Sequence, residues 1–449
     1  MDFFTKKDAN GNFERQIGAY QPIYIAGYIQ DRFDFKDLKF NIGLRIDRFD
    51  ANQQVLKDKY LLYEAKTAGE VDFASEFNMT RPSNIGDNYV VYVDNKDNPT
   101  KAVGFRNGDT WYNAQGAVVS DPNASLATGN TVDGEINPYL VDPTAAKNRT
   151  LSSKVFEDYT PQINLMPRIA FSFPISDEAN FFAHYDVLTQ RPSDGGPGGT
   201  NYGRLDPLDY LFLQNRTSEV INNPNLKPER TTDYELGFSQ VLNERKNSAI
   251  TLSAFYRELR NMMQVVQVYK AYPATYKTLD NIDFGTVKGF SVAYDLRRMA
   301  NGVQLTANYT LQFADGTGSS ATDGVNLASS GQPNLRTTHP LDYDQRHTVV
   351  LNIDYRFGTA QDYSGPVWTM RKGTDKEKTI KLFENVGANL VARAGSGTPY
   401  SRQRNITQGD PNSQNVVIGV AQRGNLAGIV NGSNLPWNFK FDLRIDKDL

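Results

Sequence analysis

None of the 449 residues is a cysteine. That removes disulfide frameworks, cysteine-based zinc sites and thiol nucleophiles together. Histidine is almost as scarce: His184, His339 and His347 are the only three. None pairs with another at the spacing of a zinc-binding helix face or in an HExxH setting, so each reads as a strand or loop histidine. Charge of one dominant sign is missing too. The net charge is −3 and the pI about 5.8, which gives no footing for nucleic-acid binding. No run reaches the roughly 18 consecutive apolar residues of a membrane helix, and mean hydropathy is −0.54. This does not exclude a membrane β-barrel, whose strands hide their apolar face by alternation. The opening MDFFTKKDANGNF has no basic segment followed by an apolar one, so it does not read as a signal peptide.

What is present is period-two alternation. Leu38, Phe40, Ile42, Leu44 and Ile46 alternate with Lys39, Asn41, Gly43, Arg45 and Asp47. The same rhythm runs through Val303–Phe313, Val349–Phe357 and Phe439–Ile445. Alternation over this length is a strand and not a helix, and each run approaches the roughly 9–11 residues of a tilted membrane strand. The pattern predicts eleven strands, near residues 20–35, 38–50, 162–174, 181–190, 230–242, 249–262, 285–298, 302–314, 345–358, 382–394 and 437–449. Their connections alternate between tight turns (Lys36-Asp37, Ile175–Asn180, Asn243–Ser248, Met299–Asn301) and long segments (Ala51–Pro161, Arg191–Arg230, a shorter one across Met263–Phe284, Ala314–Asp344, Gly395–Pro436). Thr359–Lys381 breaks the rhythm. Asn301-Gly302 is the strongest hairpin signal, since both residues tolerate positive φ. Compact soluble domains rarely hold several structureless loops beyond about 15 residues, whereas outer-membrane barrels have short turns at one end and long loops at the other. The aromatic content of 12% suits the girdles of such a barrel. The largest connection, Ala51–Pro161, carries apolar pieces of its own (Tyr89–Val93, Trp111-Tyr112) and is expected to fold back on itself.

One stretch is distinctive in wording. Asn223–Phe238 reads NPNLKPERTTDYELGF. Pro224 and Pro228 forbid regular structure in its first half; Tyr234, Leu236 and Phe238 then alternate as a strand. The motif Asn223, Pro224, Asn225, Leu226, Lys227, Pro228, Glu229, followed by Glu-Leu-Gly, resembles the barrel signature of TonB-dependent outer-membrane receptors. Pro167–Phe173 (PRIAFSF), Pro340–Gly358 (PLDYDQRHTVVLNIDYRFG), Arg393–Tyr400 (RAGSGTPY) and Asn431–Asp448 (NGSNLPWNFKFDLRIDKD) are similar to the family's wording. Pro340–Gly358 and Asn385–Leu449 resemble the branch with an N-terminal carboxypeptidase-regulatory-like domain. The resemblance covers most of the chain from Pro161 onward and is weak over Ala51–Thr160.

The resemblance implies an all-β, antiparallel transmembrane β-barrel in the bacterial outer membrane, with short periplasmic turns and long extracellular loops. The chain would supply about half of a 22-stranded barrel, with residues 51–161 as a large extracellular loop region and 1–449 one partial barrel domain. Signal peptide, TonB box and plug are not found, so the expectation is a receptor portion cut at both ends. The intact protein would bind a bulky nutrient and import it with TonB-derived energy. Its partners would be outer-membrane lipid, the TonB complex through the N-terminal region, the nutrient, and a capping surface lipoprotein in some systems; no cofactor is implied. A passive porin-like barrel and a secreted glycan-binding β-sandwich are the alternatives.

Little in the residues points to an enzyme. Asp342 and Asp344 read as solvated loop-end carboxylates. Asp94, Asp97 and Asn98 hint at a calcium loop but lack the glycine and twelfth-position glutamate of an EF-hand. Asp194–Thr200 (DGGPGGT) is a flexible punctuator, since no Gly-Lys-Ser/Thr follows. Binding is the more natural chemistry. Trp111, Arg191, Tyr202, Arg204 and Tyr210 are candidate ligand contacts by residue type and loop position, while Asn223–Glu229 is expected to be structural.

Overall fold

The computed structural model describes residues 21–148, 152–191, 220–298, 302–323, 325, 336–359, 363–373, 377–402 and 426–447. Eleven long strands occur among them: β1 (Ile23–Phe35), β2 (Leu38–Asp50), β3 (Gln162–Ser176), β4 (Ala179–Gln190), β5 (Glu229–Val241), β6 (Ser248–Val268), β7 (Tyr276–Leu296), β8 (Val303–Gly316), β9 (His347–Arg356), β10 (Val386–Gly395) and β11 (Asn438–Lys447). Each pairs antiparallel with the next in sequence, giving one up-and-down sheet from β1 to β11. All eleven expected strands are present, with ends shifted by a few residues except where β6 and β7 run on towards each other. No pairing between β1 and β11 closes the sheet among the described residues.

Alternation gives the sheet two unlike faces. Ile42, Leu44, Ile46, Ile169, Leu236, Leu252, Phe290, Phe441 and Leu443 are exposed hydrophobics. Register places them on one face: Ile46 opposes Leu165, Leu236 opposes Ala254, Phe290 opposes Leu311, and Leu390 opposes Leu443. The opposite face carries ion pairs between neighbouring strands, including Arg168–Asp186 at 2.8 Å and Arg257–Asp233 at 3.0 Å. Ser253 and Ser291 hydroxyls meet there at 2.7 Å. Gly237, the glycine of Glu-Leu-Gly, sits on this polar face under the Phe182 ring, which a Cβ would strike. A soluble sandwich would hide the apolar face; here it is the exposed one.

Apart from the connection between β9 and β10, which is long but lies at the turn end, tight turns and long connections separate to opposite ends. Phe35 and Leu38 flank a two-residue turn with Lys36 at φ 56°, and Ser176 and Ala179 flank another. Gly302 has the positive φ its hairpin requires, at 74°, while Asn301 lies outside the described residues. Aromatic ladders mark both ends of the apolar face. On the turn side Phe33, Phe40, Phe171 and Phe181 follow one another at 5.1, 5.3 and 6.2 Å between centroids. Towards the loops, Tyr185, Tyr234 and Tyr256 do so at 5.2 and 6.2 Å, and His347 stacks between Tyr309 and Trp437.

Two expectations need correction. Met263–Phe284 is not a long loop: β6 and β7 run on for 21 residues each and leave a short connection. Irregularities at Leu259, Met262 and Met263 shift the pairing and disrupt the alternation that the sequence reading followed. Asp344 is not a solvated carboxylate. It is 2% exposed, accepts the Ala314 N–H at 2.9 Å and faces Arg346; Asp342 is exposed as expected. Within Thr359–Lys381, Val367–Met370 and Lys378–Lys381 pair as a small hairpin.

Residues 51–161 do fold back on themselves. Gln54–Leu56 pairs with Phe156–Asp158 at their base. Beyond this lies a five-stranded antiparallel sheet built from Val118–Val119, Thr110–Asn113, Ala102–Asn107, Val90–Val93 and Asn137–Pro138. Phe73, Phe77, Val91, Val93 and Phe105 form one core, with Tyr92, Val103, Trp111 and Leu126 forming another. A short helix, Phe73–Phe77, presents Phe73 and Phe77 to the first core. Asp72 accepts from the Ser75 N–H while Glu76 accepts from the Asp72 N–H, a reciprocal cap that satisfies helix-end donors.

The two faces make a direct prediction. Leu443 is 67% exposed on the apolar face and Asp442 lies on the other. Leu443→Arg should cost about 2–4 kcal/mol in a bilayer, and Asp442→Ala little. Reversible unfolding in lipid vesicles measures both, and equal losses would contradict the assignment of faces. Gly237→Ala, which drives a methyl into Phe182, should cost about 1–3 kcal/mol in the same assay.

Candidate functional site at the junction of cap and hairpin

The 51–161 segment packs on the extended end of the β6–β7 hairpin. Leu62, Tyr63, Leu140, Val155 and Phe156 share a buried cluster with Ile221, Val268, Ala271 and Tyr276. Backbone bonds pin the contact: Leu62 N–H to Tyr272 O at 3.1 Å and Tyr272 N–H to Tyr60 O at 2.8 Å. The Tyr276 hydroxyl donates to Lys59 O at 2.8 Å. The segment therefore forms a cap held by one hairpin.

A cavity of about 740 Å³ lies between cap and hairpin. From the cap come Lys57, Tyr60, Asp109 and Trp111; from the hairpin, Gln267, Tyr269, Lys270 and Asp280; between them, Asn222–Asn225. Its wall is organised by Arg106, whose side chain is 2% exposed. Strand Ala102–Asn107 turns Arg106 into a ring of aromatics, 4.6 Å from the Tyr60 centroid, 5.5 Å from Trp111 and 5.9 Å from Tyr92. The guanidinium donates to the Tyr92 hydroxyl at 2.8 Å, to Gly108 O at 2.9 Å and to the Asp58 carboxylate. A buried charge paired and hydrogen-bonded on every side costs far less than a bare one.

Charge around the cavity is strongly shaped. Burial pushes the Tyr60 phenol well above its usual range, and the hydrogen bond it donates to Asp109 adds to this. Burial also pushes Tyr92 up to about 12, partly offset by Arg106. Burial alone would raise Asp109, but hydrogen bonds from Lys59 and Tyr60 hold its carboxyl below the ordinary range. Lys270 is lowered by burial, against a weaker pull from Asp121. The lining thus mixes aromatic faces, amides and charges of both signs. It can bind; it shows no arrangement of nucleophile and base.

Of the sequence candidates, Trp111 lines the cavity. Arg191 does not; its guanidinium lies over the Phe49 ring at the end of β2. Tyr202, Arg204 and Tyr210 lie outside the described residues. Arg106, Tyr60 and Lys270 were missed, although Arg106 and Trp111 facing each other across two short strands was a signal available in the alternation. The Asn223–Glu229 motif is anchored throughout. Leu226 is buried with Val265 and Leu279, and Asn223 Nδ2 donates to Leu279 O at 2.9 Å. Asn281 accepts from the Lys227 N–H at 2.7 Å and donates to Lys227 O at 3.0 Å. Asn223, Pro224 and Asn225 also border the cavity. The hinted calcium loop is a turn: Asp94 accepts from the Thr100 and Lys101 N–H groups, Asn95 accepts from those of Asp97 and Asn98, and Asp97 pairs with Lys147.

Comparison with known proteins decides the family. The family model described as "TonB dependent receptor-like, beta-barrel" matches residues 3–445. The chain belongs to the TonB-dependent receptor β-barrel family. The exposed apolar face is accordingly the surface that meets outer-membrane lipid. No curated protein matches the sequence. Among solved structures, the ferric-catecholate import receptor Fiu from E. coli K12 is similar at 14% identity, covering 88% of this chain and 37% of its own, with a TM-score of 0.38. The FrpB iron transporter of Neisseria meningitidis gives 12% identity, coverage of 96% and 40%, and a TM-score of 0.41. The E. coli outer-membrane transporter YddB gives 11%, 94% and 47%, and 0.41. The chain spans less than half the length of each of these proteins.

Arg106→Met leaves Asp58 and Tyr92 without their partner and should destabilise the cap by about 3 kcal/mol, read as faster hydrogen exchange at Val91 and Phe105. The acid response follows from the depressed Asp109 carboxyl, joined by Asp94 and Glu76, which hydrogen bonds hold down against burial. Such groups add stability above their unfolded values near about pH 4 and lose it as pH falls through the lower folded values. Exchange within the cap should therefore stay slow at pH 5 and accelerate only below about pH 4.

Proposed function

We propose that the intact protein captures a bulky nutrient at the cell surface and imports it with TonB-derived energy. The observation that supports this most is the capped cavity at the loop end of a membrane-facing sheet. On this reading the long connections face outward and the tight turns face the periplasm, with residues 51–161 as an extracellular cap. Trp111, Tyr60 and Lys270 would contact the ligand from the cavity wall. Arg191, Tyr202, Arg204 and Tyr210 remain candidates on the adjoining connection. The energy-transducing complex would act through an N-terminal region, and a surface lipoprotein is the partner suited to cover the cap. The regulatory-domain branch of the family is our assignment from Pro340–Gly358 and Asn385–Leu449. A passive porin fits less well, because the cap stands over the loop end.

The test is uptake. Cells carrying the full-length protein are compared with and without TonB for depletion of components of their medium. Loss of one component's uptake without TonB is expected, and TonB-independent passage would favour the porin. Trp111→Ala combined with Lys270→Ala should weaken capture of that component about tenfold or more while surface abundance stays constant.

A further inference from the structure

The outward face of β5 and β6 carries an unfavourable pair. Arg230 and Arg260 stand directly opposite each other in register. Both residues are exposed. Like charges placed directly across two strands repel. Glu258 reaches Arg260 at 3.8 Å, but it also accepts from the Tyr256 hydroxyl at 3.3 Å. No carboxylate bonds Arg230 among the described residues.

Pleat and register place the pair on the lipid-facing side. Arg230 shares its face with Tyr234 and Leu236, and Arg260 shares its face with Tyr256 and Leu252, all of which are exposed. Tyr234 and Tyr256 belong to the loop-side aromatic ladder, so the arginines lie just beyond it, where hydrocarbon gives way to headgroups. Arg260 lies 5.4 Å from the Phe284 centroid, which holds its guanidinium against the sheet. Lys288, also exposed, is the direct partner of Tyr256 and extends the cationic patch to β7. Asp315, on the same face of β8, is the nearby carboxylate besides Glu258.

We infer that Arg230 and Arg260 together bind a phosphate-bearing lipid headgroup of the loop-side leaflet. A phosphate has oxygens enough for both planar donor forks, and its charge converts their repulsion into a bridge. The neighbouring tyrosines and phenylalanine offer apolar and hydroxyl surface to the same lipid. The site lies on the opposite face of the sheet from the polar lumen and does not depend on the nutrient reading.

The full-length protein in neutral detergent is titrated separately with short-chain phosphatidic acid, short-chain phosphatidylcholine and inorganic phosphate, with binding read by native mass spectrometry and melting temperature. Phosphatidic acid should bind at least tenfold more tightly than phosphatidylcholine. R230Q/R260Q should lose that preference and R230K/R260K should retain most of it. Equal binding of the two lipids, or an undiminished preference in R230Q/R260Q, would overturn the proposal. Inorganic phosphate binding as tightly as phosphatidic acid would reduce the site to an anion site and overturn its lipid assignment. R230Q alone removes one member of the repelling pair, so its lipid-free melting temperature should equal or exceed that of the wild type. A clear drop would show the pair to be stabilised without lipid and would sink the inference.

Discussion

Inside hydrocarbon a backbone N–H or C=O has no water to bond, and each one left unpaired costs several kcal/mol. The sheet follows from that constraint. Pairing each strand with the next in sequence satisfies the backbone. Side chains are then free to divide by the pleat, apolar outward and ionic inward. Arg168–Asp186 and Arg257–Asp233 on the inner face tie the same neighbours that the backbone ladder joins, while Arg356–Asp446 reaches across β10 from β9 to β11. Among the described residues the outermost strands, β1 and β11, have a neighbour on one side only, and nearly all their residues are exposed.

Strands were legible in the sequence because alternation is local. Leu38–Ile46 or Phe439–Ile445 announces its face without help from any distant residue. Legibility failed where pairing becomes irregular, as near Met262, and the hairpin's second half was lost with it. The cavity was harder to read. Arg106 finds Asp58 from 48 residues away and Tyr92 from 14, and no periodicity encodes such meetings. Asp344 was misjudged for the same reason, since its Ala314 partner lies 30 residues upstream.

The family motif illustrates how a conspicuous phrase can be structural. Asn223 bends the chain, its side chain accepting from the Asn225 N–H at 3.0 Å. Asn281 then grips both the N–H and the C=O of Lys227 and reaches Asn261 O at 2.7 Å. Lys227 therefore meets, beyond the end of the regular ladder, a side-chain amide that imitates a strand neighbour. Leu226 fixes the other side by burial against β6 and β7. This arrangement delivers the chain to Glu229 in the register that aligns Tyr234 with Tyr185 and Tyr256.

The base of the cap has a different consequence. Gln54–Leu56 and Phe156–Asp158 run side by side, so the segment leaves and rejoins the sheet through one narrow stalk. Closure cost rises only with the logarithm of the length enclosed, about 0.6 kcal/mol per doubling. The part of the cap away from the hairpin can therefore lengthen or shrink at little entropic cost to the strands below. Seen this way the cap is a graft, joined to the sheet by one stalk and docked on one hairpin.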